Sequence, residues 1–174
     1  VNPERAYRSI VWVRRNSSSN SGTFYHGSDW GTTSQLSGNA ANNPYFNCRG
    51  ISGLSQGVWY LSVGYIHAYS DNSTQTWGGL YDSRTGRKIQ NYSSANGNCS
   101  SEYKWRSTAT YRQNIRCYLF YSTDPAADLE FWGPRFEEVN GEEPSIGALL
   151  GLNMTRPEYM EGIRVGGINN GTAT

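Results

Sequence analysis

The sequence has few of the features that would mark a nucleic-acid-binding protein, a membrane protein or an enzyme. Only 17% of its 174 residues are charged and the net charge is +1, which argues against binding through a basic patch. It has no apolar run of about 18 residues, the length that favours a membrane-spanning helix. A Gly-rich phosphate loop, a nucleophile elbow and an HExxH metal motif are also missing. These absences favour a function of exposed surfaces over a catalytic motif.

Cysteine and histidine are scarce, which restricts disulfide and metal chemistry. The three cysteines, Cys48, Cys99 and Cys117, form no CxxC pair, so a structural zinc site is not expected. An odd number cannot form a closed set of disulfides. Pairing of Cys99 with Cys117, with Cys48 free, is one alternative, and no disulfide is the other. The two histidines, His26 and His67, are far apart in the sequence, so they do not predict a metal site or a catalytic base.

Aromatic residues, glycine and small polar residues are abundant instead. The chain contains 13 Tyr, 6 Trp and 20 Gly, and aromatics make up 14% of it. This composition is typical of extracellular β-proteins and of surfaces that bind sugars, and also of β-sandwiches that bind nothing. The composition therefore predicts an all-β fold and leaves the function open.

Several segments alternate in the way that predicts half-buried β-strands. Residues 7–15 form one such strand, and residues 57–67, apolar on both faces, are predicted to lie centrally in a sheet. Residues 77–89 read as a hairpin. Residues 111–139 are predicted to form a long antiparallel pair around a turn at 122–125. One face of the first of these strands lies in the core and the other is partly open, and Gly133 marks a bulge in the second.

The character of the chain changes after Asn140. Residues 146–152 are predicted to form one short helix, with acidic residues before it and Gly151 at its end. Residues 162–174 are rich in Gly and Asn and are predicted to be peripheral. We therefore predict an antiparallel jelly-roll β-sandwich over residues 1–141. Residues 142–174 would add a short C-terminal helix and an extended tail, available for oligomer contacts.

Two motifs in this chain resemble carbohydrate-binding-module-like jelly-roll domains of phage tail fibres, tailspikes and other surface proteins. The first is Val1, Asn2 and Pro3 followed by YRSIVWVRR at residues 7–15, similar to V-x-P and then Y-x-hydrophobic-S-V-W-V-K/R. The second is FWGPRFE at residues 131–137, similar to aromatic-W-G-P/A-x-hydrophobic-E/D. Together they bracket residues 1 to about 140. The resemblance implies a jelly-roll fold and attachment to a glycan or cell surface.

The chain departs from those modules at its start, because they usually have one or two strands before the first motif. The resemblance therefore leaves two readings, a reduced variant or a fold completed by a neighbouring chain. A trimeric tail fibre would allow completion across subunits, so a homo-oligomer, in particular a trimer, is expected. The expected location is extracellular or on a virion surface, with no nucleic-acid partner and no membrane insertion.

A sugar-binding site needs flat aromatic faces for C–H groups and planar polar side chains for hydroxyls. Such residues occur in or beside the polar loops and on the open face of the 111–121 strand. The predicted ligand-binding set is Asp29, Trp30, His67, Tyr69, Asp71, Trp77, Tyr81, Arg112 and Asn114. The alternative is that these aromatics cap the core or pack between subunits. Three further tryptophans within predicted strands are assigned to the core: Trp12, Trp59 and Trp132.

Three functions remain to be weighed. The first is a non-catalytic adhesion module that binds a cell-surface glycan, and the second is a structural fibre, spike or capsid-surface subunit. The third, a glycan-cleaving enzyme, needs two carboxylates at a set separation, and no motif marks them among the candidates Asp29, Asp71, Asp82 and Glu102. We predict no catalytic residue, no metal site and no cofactor. One alternative stays open, a structural calcium site built from Asp128, Glu130, Glu137 and Glu138.

Overall fold

The computed structural model describes residues 1–28, 32–36, 44–74, 78–90, 102–108 and 113–151. Ten strands in two sheets and one short helix make up its regular structure, apart from a 3-10 turn at Ile51–Gly53. The prediction of an all-β fold with a short C-terminal helix is confirmed at this level. The elements are β1 (Tyr7–Arg15), β2 (Thr23–Ser28), β3 (Thr33–Gln35), β4 (Tyr45–Gly50), β5 (Trp59–His67), β6 (Gly79–Asp82), β7 (Lys88–Gln90), β8 (Glu102–Trp105), β9 (Ile115–Phe120), β10 (Leu129–Glu138) and α1 (Ile146–Leu149).

The large sheet has seven strands and the small sheet has three. The strand order of the large sheet is β10-β1-β5-β6-β7, and its remaining strands extend from the far end of β5. There β8 pairs with β5 in parallel, and β3 pairs with β8. The order of the small sheet is β4-β2-β9, with both pairings antiparallel. As the sequence predicted, β5 is central, and β6 and β7 form an antiparallel hairpin.

The alternating strand β1 lies between β5 and β10. Its pairing with β10 runs from Tyr7 opposite Glu138 to Arg15 opposite Leu129, with a register shift between Ile10 and Trp12. Gly133 has a φ of +57° at that shift, a conformation that glycine adopts without the steric penalty of a Cβ. The predicted bulge at Gly133 is therefore confirmed.

One strand pairing predicted from the sequence is wrong. Within residues 111–139, β9 and β10 do not form a hairpin, because β9 pairs with β2 and β10 pairs with β1. The chain crosses from the small sheet to the large sheet between them. Alternation indicates which face of a strand is buried, but it does not indicate which strand lies beside it.

Both alternatives for the cysteines, a Cys99–Cys117 pair and no disulfide, are also wrong. Cys48 is disulfide-bonded, whereas Cys117 is a free thiol, and Cys99 lies outside the described residues. The reason is the direction of the side chains. Cys48 packs with Tyr45 on the outer face of the small sheet, and Cys117 pairs with the fully buried His26 on the inner face. Burial raises the pKa of the Cys117 thiol to about 12.

Large apolar side chains fill the space between the two sheets. Val13 and Tyr60 from the large sheet pack in one cluster with Phe24 from the small sheet. Further along, Phe46 of β4 lies against the backbone of β5 at Gly64, where an added Cβ would be only 2.1 Å from the Phe46 ring. The two inner faces therefore meet closely, as in a β-sandwich.

A buried hydrogen-bond network also joins the sheets. The imidazole of His26 on β2 contacts two hydroxyls of the large sheet, with Nε2 2.9 Å from Ser9 Oγ and Nδ1 2.7 Å from Ser62 Oγ. Asn47 of β4 donates from Nδ2 to Ser62 Oγ at 2.8 Å. Burial lowers the pKa of His26 to about 3, so the ring is neutral at physiological pH.

The helix α1 packs on the other face of the large sheet. Leu149 and Leu150 belong to one buried cluster with Trp12 of β1 and Leu61 of β5. The Ser145 side chain caps α1 by accepting a hydrogen bond from the Ala148 backbone N–H at 3.0 Å. The assignment of Trp12 to the core is confirmed, while Trp59 and Trp132 are half-buried at the edge of this cluster. The helix is confirmed but shorter than predicted. Among the described helices, none is long and apolar enough to cross a membrane.

Candidate functional site

The structure describes five of the nine predicted ligand-binding residues, and it does not bring these five together. The other four, Asp29, Trp30, Trp77 and Arg112, lie outside the described residues. Three of the five, His67, Tyr69 and Asp71, lie together at the end of β5. The last two, Tyr81 and Asn114, belong to other strands or their ends.

The residues after β5 form a small polar corner. His67 is 1% exposed, and its Nδ1 lies 3.1 Å from the Asp71 carboxylate. The pKa of Asp71 is lowered, first by a hydrogen bond from the Ser73 backbone N–H to its carboxylate, at 2.7 Å. Tyr69 is 39% exposed, and its backbone N–H donates to Pro3 O at 2.9 Å. This corner offers one exposed ring and one carboxylate to a ligand.

Tyr81 and Asn114 do not join that corner. Tyr81 is buried on β6 opposite Leu61, which precedes His67 by six positions on β5, a distance of about 20 Å along an extended strand. Burial raises the pKa of the Tyr81 phenol to about 12. Asn114 is exposed and comes immediately before β9 in the small sheet.

A second surface, on the outer face of the small sheet, carries more exposed aromatic area. We call it the outer aromatic patch, and it consists of Tyr25, Tyr45, Tyr118, Phe120 and Tyr121. Strand periodicity produces it, because successive side chains point to opposite faces. On β2, Phe24 and His26 are buried and face the large sheet, whereas Tyr25 between them faces outward.

The rings of the outer aromatic patch form one connected array. The Tyr25 and Tyr118 rings are stacked, with centroids 5.2 Å apart and planes 16° apart. Tyr45 lies 4.8 Å from Tyr25, and its hydroxyl hydrogen-bonds the Tyr118 hydroxyl. Phe120 and Tyr121 meet edge to face at 4.4 Å. Each ring is therefore held in orientation by its neighbours.

The two rings at the end of β9 are the most exposed part of the patch. Phe120 is 53% exposed and Tyr121 is 70% exposed. Tyr121 also has a φ of 58°, and it is the sole non-glycine residue with positive φ in the described ranges. That left-handed conformation costs about 1–2 kcal/mol for an L-residue. A strained backbone that presents an exposed ring is a feature found at binding sites.

Arg116 lies on the same face of β9 as Tyr118, two residues before it. Its guanidinium carbon is 4.9 Å from the centre of the Tyr45 ring, within the range of a cation–π contact. Two of its nitrogens, Nε and Nη2, are buried, and they find no hydrogen-bond partner. The patch therefore combines flat apolar rings with one fixed positive charge.

The phenols of Tyr25 and Tyr118 remain protonated across the physiological range. Burial, followed by the neighbouring Tyr121 and Tyr45, raises the pKa of Tyr25. Burial and the hydrogen bond that its hydroxyl shares with Tyr45 raise the pKa of Tyr118. These groups can thus donate as well as accept hydrogen bonds, as sugar hydroxyls require.

The sequence contained part of the signal for this surface. The alternation of residues 111–121 placed Arg116, Tyr118 and Phe120 on the open face, although the predicted site took only Arg112 and Asn114 from it. Tyr25 and Tyr45 reach the patch through β2–β9 and β2–β4 pairings. Those pairings join segments far apart in the sequence, and no local pattern indicates them.

The described residues give no support to the calcium alternative. Within them, no group of three or more His, Cys, Asp or Glu side chains is placed to hold a metal ion. Three of the four carboxylates have positive partners instead, and one of these pairs joins Glu138 to Arg5 at 3.9 Å. Glu130 pairs with Arg14, and Glu137 pairs with Arg8 at 2.6 Å and with Arg135 at 2.7 Å.

Comparison with protein-family models, curated proteins and solved structures finds no match to this chain. The residues of the chain and their geometry are therefore the basis for a functional assignment.

Proposed function

We propose that this chain is a non-catalytic carbohydrate-binding module that attaches a phage tail fibre or similar appendage to a cell-surface glycan. It would act outside the cell or on a virion surface. In this proposal the outer aromatic patch holds the sugar, and the predicted residues His67, Tyr69 and Asp71 form a separate corner of the molecule. The fold would be a jelly-roll sandwich.

One observation carries the proposal, the exposure of oriented aromatic rings on a sheet face. Phe120 and Tyr121 are 53% and 70% exposed and are held edge to face. Flat exposed rings pack against the C–H faces of sugars, and neighbouring phenols supply hydrogen bonds to hydroxyls. Rings that are already ordered lose little conformational entropy on binding, which favours affinity.

The motifs that resemble carbohydrate-binding modules also support the proposal. They lie on β1 and β10, which are neighbours in the large sheet, and Trp12 of the first motif is opposite Trp132 of the second. The jelly-roll assignment draws on this pairing and on the packing of the two sheets face to face. The two motifs lie in the large sheet, so the support that they give is independent of the patch on the small sheet.

A structural fibre, spike or capsid-surface subunit is the second candidate. Exposed Tyr and Phe side chains are also enriched at the centres of protein–protein interfaces. In that case the patch would contact another subunit, as the expected trimer requires. The two candidates make different predictions for the same variants.

Glycan-array binding by the wild type and two patch variants, Tyr118→Ala and Phe120→Ala, tests the proposal. We expect each variant to lose about tenfold in affinity, because a stacked ring contributes about 1.5 kcal/mol beyond its buried area. The matched control is Tyr69→Ala, which removes an exposed ring outside the patch and should bind as the wild type does.

Two further variants, Trp30→Ala and Trp77→Ala, test the loops predicted from the sequence. A loss of binding in these two, with none in Tyr118→Ala and Phe120→Ala, would move the site from the patch to the loops. Absence of any glycan binding by the wild type, on arrays and on whole cells, would overturn the proposed function.

A further inference from the structure

We infer that the glycan held by the outer aromatic patch is acidic, and that Arg116 recognises its carboxylate. This inference rests on the proposed function and deepens it by assigning the chemical class of the sugar. It concerns a residue that the sequence did not single out as part of a site.

The position of Arg116 is the first support. Its side chain leaves β9 on the outer face, two residues before Tyr118, and its guanidinium carbon lies 4.9 Å from the centre of the Tyr45 ring. A guanidinium directs its N–H groups outward in its own plane as a rigid fork. That planar fork matches the two oxygens of a carboxylate.

The unmet hydrogen-bonding capacity of Arg116 is the second support. Its Nε and Nη2 atoms are buried without a partner, a costly arrangement for the donors of a charged group. None of the ion pairs found among the described residues involves Arg116. A ligand carboxylate would satisfy these donors, and it reaches them if the guanidinium reorients on binding.

The surroundings of Arg116 fit an anion better than a neutral hydroxyl. The patch residues that flank it carry no carboxylate, and their phenols stay protonated because the pKa values of Tyr25 and Tyr118 are raised. An incoming carboxylate therefore meets one positive charge and neutral hydrogen-bond donors. A neutral sugar would leave the charge of Arg116 unused.

The test uses two matched pairs of probes that differ in charge, 3′-sialyllactose against lactose, and oligogalacturonate against its methyl ester. Dissociation constants are measured by calorimetry for the wild type, Arg116→Gln, Arg116→Lys and Tyr118→Ala. We expect the wild type to bind the acidic member of at least one pair about tenfold more tightly than the neutral member. This preference should weaken as salt is raised.

Arg116→Gln should remove the preference, and Arg116→Lys should keep part of it, since lysine retains the charge and loses the planar fork. Tyr118→Ala should weaken both members of a pair and leave the preference in place. Thermal melting of each variant confirms that it is folded.

Equal binding of acidic and neutral members by the wild type would overturn this inference and leave the proposed function standing. A preference that survives in Arg116→Gln would also overturn it. If the wild type binds none of these probes and no other glycan on an array, both the inference and the proposed function are wrong.

Discussion

His26 lies at the centre of the hydrogen-bond network that joins the two sheets. Its ring lies fully buried between the hydroxyls of Ser9 and Ser62, one on each of the two central strands of the large sheet. Only a neutral imidazole fits there without the cost of burying a charge. A buried network of this kind favours one alignment of the two sheets, because its hydrogen bonds are lost if the sheets shift.

The burial of His26 predicts a specific dependence of stability on pH. Its pKa is about 3 in the folded protein and 6.5 in the unfolded chain, so below pH 6.5 only the unfolded chain takes up the proton. The free energy of unfolding should therefore fall as pH falls, by about 1.4 kcal/mol per pH unit from this group. The loss begins near pH 6.5 and continues down to about pH 3.

Urea unfolding between about pH 7 and pH 5 measures how the free energy of unfolding depends on pH. Carboxylates with lowered pKa values, such as Asp82 and Glu130, titrate below this range. His26→Gln is the control. It replaces the imidazole with an amide, which can still form hydrogen bonds but does not titrate. The variant is expected to be less stable but to show a flatter profile. Parallel profiles for the two proteins would contradict the assignment of the slope to His26.

At the scale of strands, close approach of β4 and β5 depends on a missing side chain. Gly64 on β5 leaves room for the Phe46 ring, and a Cβ at this position would lie 2.1 Å from Phe46 Cγ. Phe46 is fully buried, so the ring has little space into which it could move. We predict that Gly64→Ala lowers the free energy of unfolding by about 1–3 kcal/mol, the usual range for overpacking.

The matched control is Gly50→Ala at the end of β4. There the nearest atom to an added Cβ is Ser52 Oγ at 3.6 Å, an ordinary contact, so the change should stay within about 0.5 kcal/mol. Phe46→Leu in the background of Gly64→Ala should cost less than the sum of the single changes, because the two share one space. Additive losses, or a tolerated Gly64→Ala, would show that the sheets are not in contact at this point.

The strands themselves could be predicted from the sequence better than their partners. Alternation predicted β1 and the buried face of β9, because side-chain direction is a local property with a period of two. Apolar residues on both faces predicted the central position of β5. The pairing of β9 with β2 could not be predicted in this way. It depends on contacts between distant segments, in which the inner-face residues Phe24 and His26 lie opposite Leu119 and Cys117.

The same distinction explains the candidate site. The open face of β9 could be predicted, and with it the outward direction of Arg116, Tyr118 and Phe120. The stack of Tyr25 on Tyr118 and the contact of Arg116 with Tyr45 arise only after β2, β4 and β9 are side by side. The sequence placed the predicted site at residues 29–30 and 67–77 because the polar composition of a loop can be recognised from a short segment. The neighbours of a residue on other strands cannot be recognised in this way.

For the whole molecule, the faces of the two sheets are covered unequally. The large sheet has the small sheet on one side and α1 packed on the other. On the outer face of the small sheet, Tyr45 and Cys48 form a cluster with Tyr25 and Tyr118 around them, and Phe120 and Tyr121 are 53% and 70% exposed. This face therefore leaves apolar rings in water, a feature that marks interaction surfaces.

The mass of the protein in solution distinguishes the two occupants that this face could have. If the outer aromatic patch binds a glycan, Phe120→Ser and Tyr121→Ser should leave the mass measured by sedimentation equilibrium unchanged, whether the protein is a monomer or the expected trimer. The reason is that these two rings are exposed and belong to no buried core cluster. A subunit contact centred on them would lose its most accessible apolar area and dissociate.

The control for this measurement is Tyr69→Ser, which changes an exposed ring outside the patch in the same way. A smaller mass for both patch variants, with an unchanged mass for the control, would assign the patch to assembly and favour the structural subunit. An unchanged mass together with weaker glycan binding by Phe120→Ser would assign the same rings to the sugar. Exposure of the rings is common to both functions, so it is the combination of mass and affinity that separates them.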